Sequence, residues 1–119
     1  MSALSEPLSV RLADPETLDR AAVTAIDDDG SVIGRATLSR LYGLRAEIEL
    51  EQAVFPTVAL ALIDALEREA RKRGLVRLEL DPARLSDAVV AALCRWRPVA
   101  NELRGSHPYL TWPTTLVNP

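Results

Sequence analysis

The chain has 119 residues, a length that corresponds to about one domain. Its 48% hydrophobic and 26% charged residues are an ordinary globular balance, which argues against disorder. A net charge of −3 and an aromatic content of 4% argue against nucleic-acid binding, because that function needs basic and stacking side chains. The single cysteine excludes an internal disulfide, and one cysteine with one histidine is too few for a zinc site.

No apolar run in the sequence reaches the roughly 18 residues of a membrane span. The N-terminal residues also lack the basic segment and apolar core of a secretion signal. We therefore expect a cytoplasmic protein that does not engage a membrane. Residues 1–7 and 113–119 show no periodic pattern, so the predicted organisation is one domain over residues 1–119 with a short tail at each end.

The first half of the chain is predicted to form β-strands, because apolar and polar residues alternate. Asp29 and Gly30 separate two of these segments and predict a hairpin, since this pair tolerates the positive φ angles of a tight turn. The aspartates at 27–29 lack the alternating oxygen ligands of a calcium loop, so we interpret them as a solvated turn and predict no metal site. In chain order, the predicted strands are residues 8–12, 21–26, 32–41 and 45–51.

The second half of the chain alternates between helices and strands. A helix is predicted over residues 56–73, where Gly74 ends it. Residues 75–80 repeat the strand pattern, so the strand–helix–strand unit over residues 45–80 should be parallel with a right-handed crossover. The remaining predictions are a helix over residues 84–96 and strands over residues 99–104 and 109–112. The fold class is therefore α/β (α+β), with a mixed, mostly antiparallel sheet around a central parallel β-α-β unit.

The two helices carry patterns that bear on packing. Residues 58–63 of the long helix, with Ala65 and Leu66, are apolar on nearly all sides, so this half is either buried in the core or faces a partner chain. Glu67 precedes Arg71 by four residues, which predicts a surface ion pair. The second helix has an apolar stripe that ends at Trp96, which predicts a core position for this indole.

Polar residues share one phase on three strands that should be neighbours, which predicts a sheet face partly open to water. These residues are Arg35, Thr37, Ser39, Arg45, Glu47, Glu49, Glu51, Arg77 and Glu79. Cross-strand ion pairs on a solvated face explain the pattern more simply than a charged binding surface does.

The order of these elements and the residues of four segments resemble the GNAT superfamily of acyl-CoA-dependent N-acyltransferases over about residues 8–112. The segments are AEIELE, VFPTVALALIDALEREARKRG, LVRLELDP and SDAVVAALCRWRPV. In that family, backbone amides of a glycine-containing loop at the start of the long helix hold the pyrophosphate of acyl-CoA. The resemblance implies that Thr57, Val58 and Ala59 occupy those cofactor-binding positions. It also implies that Cys94 stands where the family often has a tyrosine that acts as general acid.

The sequence departs from the family pattern at three places. In the loop only Ala59 fits, because Thr57 replaces the first glycine and Pro56 has no amide proton to offer. Cys94 occupies the position of the family's general acid, and Pro98-Val99 replaces the Gly-Phe that usually follows it. The pair of helices usually found after the first strand is missing, since residues 13–20 leave room for one helical turn only.

These departures predict a non-catalytic, GNAT-like protein without a cofactor, which acts as an interaction or regulatory module through self-association or a protein partner. The residues proposed for that interface are Val54, Phe55, Val58 and Trp112. The alternative is an N-acyltransferase that moves an acyl group from acetyl-CoA or another acyl-CoA to an amine, with an atypical CoA loop and Cys94 as a weak candidate acid. A third possibility is a small-ligand sensor with a pocket near Thr57 and Cys94. His107 is interpreted as a loop residue rather than a base, because no acid lies near it in the sequence.

Overall fold

The computed structural model describes residues 9–13, 19–53 and 55–114. Its elements follow the predicted order of strands and helices, with a short 3-10 turn added at Pro82–Arg84. The strands are β1 (Ser9–Ala13), β2 (Arg20–Ile26), β3 (Val32–Arg40), β4 (Arg45–Ala53), β5 (Arg77–Leu80), β6 (Ala100–Arg104) and β7 (His107–Pro113). The helices are α1 (Pro56–Lys72) and α2 (Asp87–Trp96).

One seven-stranded sheet carries the fold, with strand order β1-β2-β3-β4-β5-β7-β6. The pairing of β4 with β5 is parallel, whereas every other adjacent pair is antiparallel. This arrangement confirms the predicted mixed sheet with a central parallel β-α-β unit. β1 ends at Ala13 and β2 begins at Arg20, so the connection is too short for a pair of helices. Residues 14–18 of this connection, like residues 1–8 and 115–119, lie outside the described ranges.

Helix α1 covers the sheet and resolves the two possibilities that its apolar sequence left open. It packs on β2, β3 and β4, and Val58, Leu62 and Ile63 of its first half are in the core, whereas Leu60 is only partly buried. Gly74 ends the helix in the left-handed region at φ 77°, where the Leu75 amide donates a hydrogen bond of 3.0 Å to the Ala70 carbonyl. Neither helix within the described ranges combines the length and apolar character that a membrane crossing requires.

The hydrophobic core lies between α1 and one face of the sheet, and α2 adds Leu93 to it from beside α1. The opposite face carries the polar phase that the strand patterns predicted, as the pairs Thr37↔Glu49 and Glu47↔Glu79 illustrate. This face is only partly wet, because the Glu79 side chain is fully buried. Its carboxylate forms ion pairs with Arg45, at 3.3 Å, and with Arg104.

The prediction of a surface pair between Glu67 and Arg71 is wrong. Glu67 is 7% exposed and accepts hydrogen bonds of 2.6 Å from both Trp112 Nε1 and Arg97 Nε. Arg97 also pairs with Asp64, and hydrogen bonding to Glu67 raises the pKa of the Arg97 guanidinium, which stays charged. A buried carboxylate needs such partners, so its pairing is decided by tertiary contacts rather than by spacing along the helix.

The environments of the two tryptophans are the reverse of those predicted from the sequence. Trp96 is 69% exposed and lines a shallow groove with Leu60 and Asp64, so the prediction of a core position is wrong. Leu93 in the last turn of α2 takes the core position, whereas Trp96 lies on the groove that the paired Asp64 and Arg97 also line. Trp112 of β7, which extends to Pro113, lies in the core with no exposed surface and donates a hydrogen bond to Glu67 of α1. The strand therefore reaches into the segment expected to be a tail, and Thr114 beyond it is also buried.

Candidate functional site

The parallel strands β4 and β5 separate at one end and leave a wedge in the sheet. Their register runs from Arg45↔Arg77 to Ile48↔Leu80, and β5 then ends, whereas β4 continues to Ala53. The chain continues into the 3-10 turn at residues 82–84, which contacts β7. Over residues 50–53, β4 has no partner strand on the edge that faced β5 in the described part of the chain.

A cavity of about 230 Å³ occupies this wedge. Carboxylates and aliphatic side chains contribute to its wall in similar number. The lining residues are Glu47, Ile48, Glu49, Leu50, Leu80, Asp81 and Leu85. Residues of both faces of the sheet line the cavity, because alternate residues of β4 point to opposite sides.

Helix α1 begins at the same end of β4. Phe55 is its N-cap residue and makes no side-chain capping hydrogen bond, and Pro56 occupies the first helical position. The amides of Thr57 and Val58 belong to the first turn, where the helix supplies no acceptor for them. Such amides and the positive end of the helix dipole favour an anion, although Pro56 has no amide hydrogen and removes one donor.

Asp81 directly follows β5 and is an acidic residue in the wall of the cavity. Its Oδ1 accepts a hydrogen bond of 2.9 Å from the Ala83 amide, so the carboxylate also caps the 3-10 turn. The same Oδ1 lies 2.8 Å from His107 Nε2. An ionised carboxylate only accepts hydrogen bonds, so Nε2 carries the hydrogen and Nδ1 is left as the basic nitrogen when the imidazole is neutral.

The position of His107 on the sheet is set by the β6–β7 hairpin. Its ring meets the Tyr109 ring edge-on, with the two centroids 5.0 Å apart. Arg104 lies over the Tyr109 ring, with its guanidinium carbon 4.4 Å from the ring centroid. The charge of Arg104 pairs with the buried Glu79. The imidazole is therefore packed from the side and hydrogen-bonded at one nitrogen.

The pairing of His107 with Asp81 was missed from the sequence, where the two residues are 26 positions apart. The antiparallel register of β5 and β7, which places Leu80 opposite Leu110, brings them together. The only sequence signal for this pairing would have been a correct alignment of those two strands. The interpretation of His107 as an isolated loop residue is accordingly wrong.

The residues proposed for an interface have different environments. Phe55 is 66% exposed at the start of α1, whereas Val58 is 6% exposed and Trp112 has no exposed surface. Val58 and Trp112 therefore cannot contribute their side chains to a partner, because both are packed in the core. Val54 lies outside the described residues.

The remaining candidates lie apart from the cavity. Cys94 is exposed on α2, and neither Cys94 nor Thr57 lines the cavity in the wedge, so this cavity is not the pocket expected for a ligand sensor. Ala59 is fully buried in α1, and its amide donates a hydrogen bond of 3.0 Å to the Phe55 carbonyl. At the aspartate turn, Asp27 Oδ1 accepts hydrogen bonds from the amides of Asp29 and Ser31, which explains this acidic run as a turn.

Several solved acetyltransferases share this fold. The chain matches the PaiA N-acetyltransferase of Thermoplasma acidophilum, solved in complex with coenzyme A, with a TM-score of 0.65 and 18% identity, over 80% of this chain and 61% of that chain. A GNAT-family acetyltransferase of Staphylococcus aureus gives a TM-score of 0.62 and 12% identity, over 81% and 68%. Nourseothricin acetyltransferase gives a TM-score of 0.62 and 23% identity, over 82% and 66%.

These matches show that the chain has the GNAT fold. The chain spans about three fifths of the PaiA N-acetyltransferase. No protein-family model matches the sequence, and no curated protein matches it either.

Proposed function

We propose that this protein transfers an acyl group from acyl-CoA to an amine within the wedge between β4 and β5. The observation that carries the proposal is the edge of β4 over residues 50–53, which has no partner strand in the described part of the chain and lies beside a cavity. The arm of acyl-CoA is extended and contains amides, so it can pair with an open strand edge as an added strand does. Among the solved structures with this fold are acetyltransferases, one of them in complex with coenzyme A, which supports this function over a non-catalytic one.

The volume of the cavity limits the acyl group. A water molecule takes up about 30 Å³ in the liquid, so a cavity of about 230 Å³ accommodates a short acyl group with the neighbouring atoms of its arm. A long-chain acyl group would require more space than the wedge provides. Acetyl-CoA is accordingly the first donor to test.

The start of α1 is suited to the diphosphate of CoA, but with fewer donors than a glycine-containing loop. The amides of Thr57 and Val58 and the helix dipole attract phosphate. Pro56 lacks an amide hydrogen, and the side chain of Thr57 narrows the approach to the backbone. We therefore expect CoA to bind, with an affinity below that of a loop with the full set of glycines.

The acceptor is proposed to be an amine that is positively charged in solution. Glu47, Glu49 and Asp81 place three acidic side chains on the wall of the wedge, and this charge favours a cation. Glu47 and Glu49 belong to the polar face of the sheet, so we place the acceptor amine on that face. We place the diphosphate on the other side of the wedge, at the start of α1.

A non-catalytic interaction module is the second candidate function, and the exposure of Phe55 favours it. This ring is 66% exposed beside the wedge, where it would interfere with a diphosphate and could contact a protein partner or a second copy of the chain. In this case no cofactor binds, and Phe55 rather than the wedge is the functional feature.

The two candidates are separated by adding acetyl-CoA and following thermal unfolding. A ligand at a hundred times its Kd adds about 2.7 kcal/mol of stability, which is easily measured. Leu85→Trp should fill the cavity and abolish the shift, whereas Leu103→Trp, at an exposed position of β6, should retain it. The absence of any shift in the wild-type protein, together with association that Phe55→Ser removes in light scattering, would favour the interaction module instead.

A further inference from the structure

We propose that His107 and Asp81 form the proton-accepting pair of the acyl transfer, with His107 as the base and Asp81 as its positioning residue. The inference rests on the proposed function and assigns the base for the acceptor amine. It is carried by the 2.8 Å contact between Asp81 Oδ1 and His107 Nε2 and by the place of Asp81 on the cavity wall.

The orientation of the imidazole is what a base requires. The contact with Asp81 fixes Nε2 as the nitrogen that carries the hydrogen, which leaves the lone pair on Nδ1 to accept a proton. Tyr109 packs edge-on against the ring and restricts its rotation. The His107 side chain is 45% exposed, so an amine in solution can reach it without any movement of the hairpin.

The pair lies on the face of the sheet where the acceptor is expected. His107, Tyr109 and Thr111 lie two residues apart along β7 and so point to the same face of the sheet. Thr111 is opposite Glu79 on β5, and Glu79 is opposite Glu47 on β4. These residues therefore share the polar face. Asp81 connects the imidazole to the wedge, because its carboxylate bonds to His107 and the residue lines the cavity.

The chemical step is balanced without any further reactant. His107 takes one proton from the ammonium form of the acceptor and leaves a neutral amine. The lone pair of that nitrogen forms the new C–N bond at the thioester carbonyl as the C–S bond breaks, and its electron pair leaves with the sulfur. The thiolate takes the second proton from the nitrogen, so the products are an amide, a free thiol and one proton on His107 that passes to solvent.

The charges around His107 define what a pH profile will report. In the described part of the chain, the groups that face it are Asp81 from the end of β5, Tyr109 from its own strand and Arg104, its cross-strand neighbour on β6. Glu47 and Glu49 are alternative bases on the cavity wall. The experiment must therefore distinguish the imidazole from these carboxylates.

His107 is the only histidine, so its titration can be followed directly by proton NMR in the full chain. The release of thiol from acetyl-CoA measures the transfer, and it is followed across pH. The acceptors are three primary amines: lysinamide, tyramine and benzylamine. The rise of kcat/KM with pH should coincide with the titration of the imidazole. His107→Gln should lower kcat/KM by about a hundredfold or more and remove that rise.

Two further variants test the roles separately. Asp81→Asn should give a smaller loss and keep a rise of kcat/KM with pH, and this rise should be displaced together with the NMR titration of His107, as expected for a positioning residue. Asp87→Asn, an exposed acid on α2, is the matched control and should change neither. Binding of acetyl-CoA by each variant, followed by its thermal shift, shows that the fold and the donor site are intact.

The outcomes separate the base from the function. A His107→Gln protein that binds acetyl-CoA and keeps the rate and pH dependence of the wild type overturns the pair and directs attention to Glu47 and Glu49. Wild-type protein that binds acetyl-CoA but transfers to none of the amines overturns the proposed transfer and the pair with it. The absence of acetyl-CoA binding in the wild type overturns the proposed function itself.

Discussion

Trp112 donates a hydrogen bond of 2.6 Å from its indole nitrogen to Glu67, which joins β7 to α1 inside the core. Arg97, just after α2, pairs with the same carboxylate. One buried acid thus connects three elements that are far apart in the sequence. Because a charge is costly to bury, this carboxylate is stable only while both donors remain.

Replacing Glu67 by leucine should destabilise the protein by about 3–5 kcal/mol, since it leaves the Arg97 guanidinium buried without its main partner. The measurement is the free energy of unfolding in urea. Glu51→Leu is the control, because the Arg35–Glu51 pair is exposed and such pairs contribute at most about 1 kcal/mol. Equal losses for the two variants would contradict the role assigned to Glu67.

Gly74 is predicted to be required by its backbone conformation alone. Its φ is +77°, and a Cβ added there would meet no atom within 4 Å. Gly74→Ala should therefore cost about 1–2 kcal/mol through the left-handed conformation, and Gly74→Asn should cost less because asparagine tolerates it. Thermal unfolding of the two variants checks this order, and a larger loss for asparagine would contradict it.

Thr57→Asp should separate the stability of α1 from its binding of CoA. An acid in the first turn interacts favourably with the helix dipole and should stabilise the protein by about 0.3–1 kcal/mol. The same charge repels the diphosphate, so the affinity for CoA should fall by at least about tenfold. Calorimetric titration with CoA measures the second effect, and Thr57→Asn is the uncharged control. Unchanged affinity would place the diphosphate elsewhere.

Cys94→Ser should leave the transfer rate within about twofold of the wild type, because Cys94 is exposed on α2 and is not part of the cavity wall. Alkylation of the thiol should likewise be without effect on thiol release from acetyl-CoA. A loss of a hundredfold in the serine variant would instead support the cysteine as the general acid.

Much of the architecture could be predicted from local patterns. The alternation in residues 45–51 and the glycine after α1 correctly indicated a strand followed by a helix, because these signals depend on neighbours in the chain. The environments of Glu67, Trp96 and Trp112 were predicted incorrectly, since each depends on which element packs above it. The contact of His107 with Asp81 depends on the β5–β7 register, which no local pattern specifies.

Amide NMR of the labelled protein, titrated with acetyl-CoA, locates the donor site residue by residue. The amides of residues 49–51, Thr57 and Val58 should shift together as the ligand is added. Shifts confined to the groove around Trp96, or no shift at all, would contradict an acyl-CoA site in the wedge between β4 and β5.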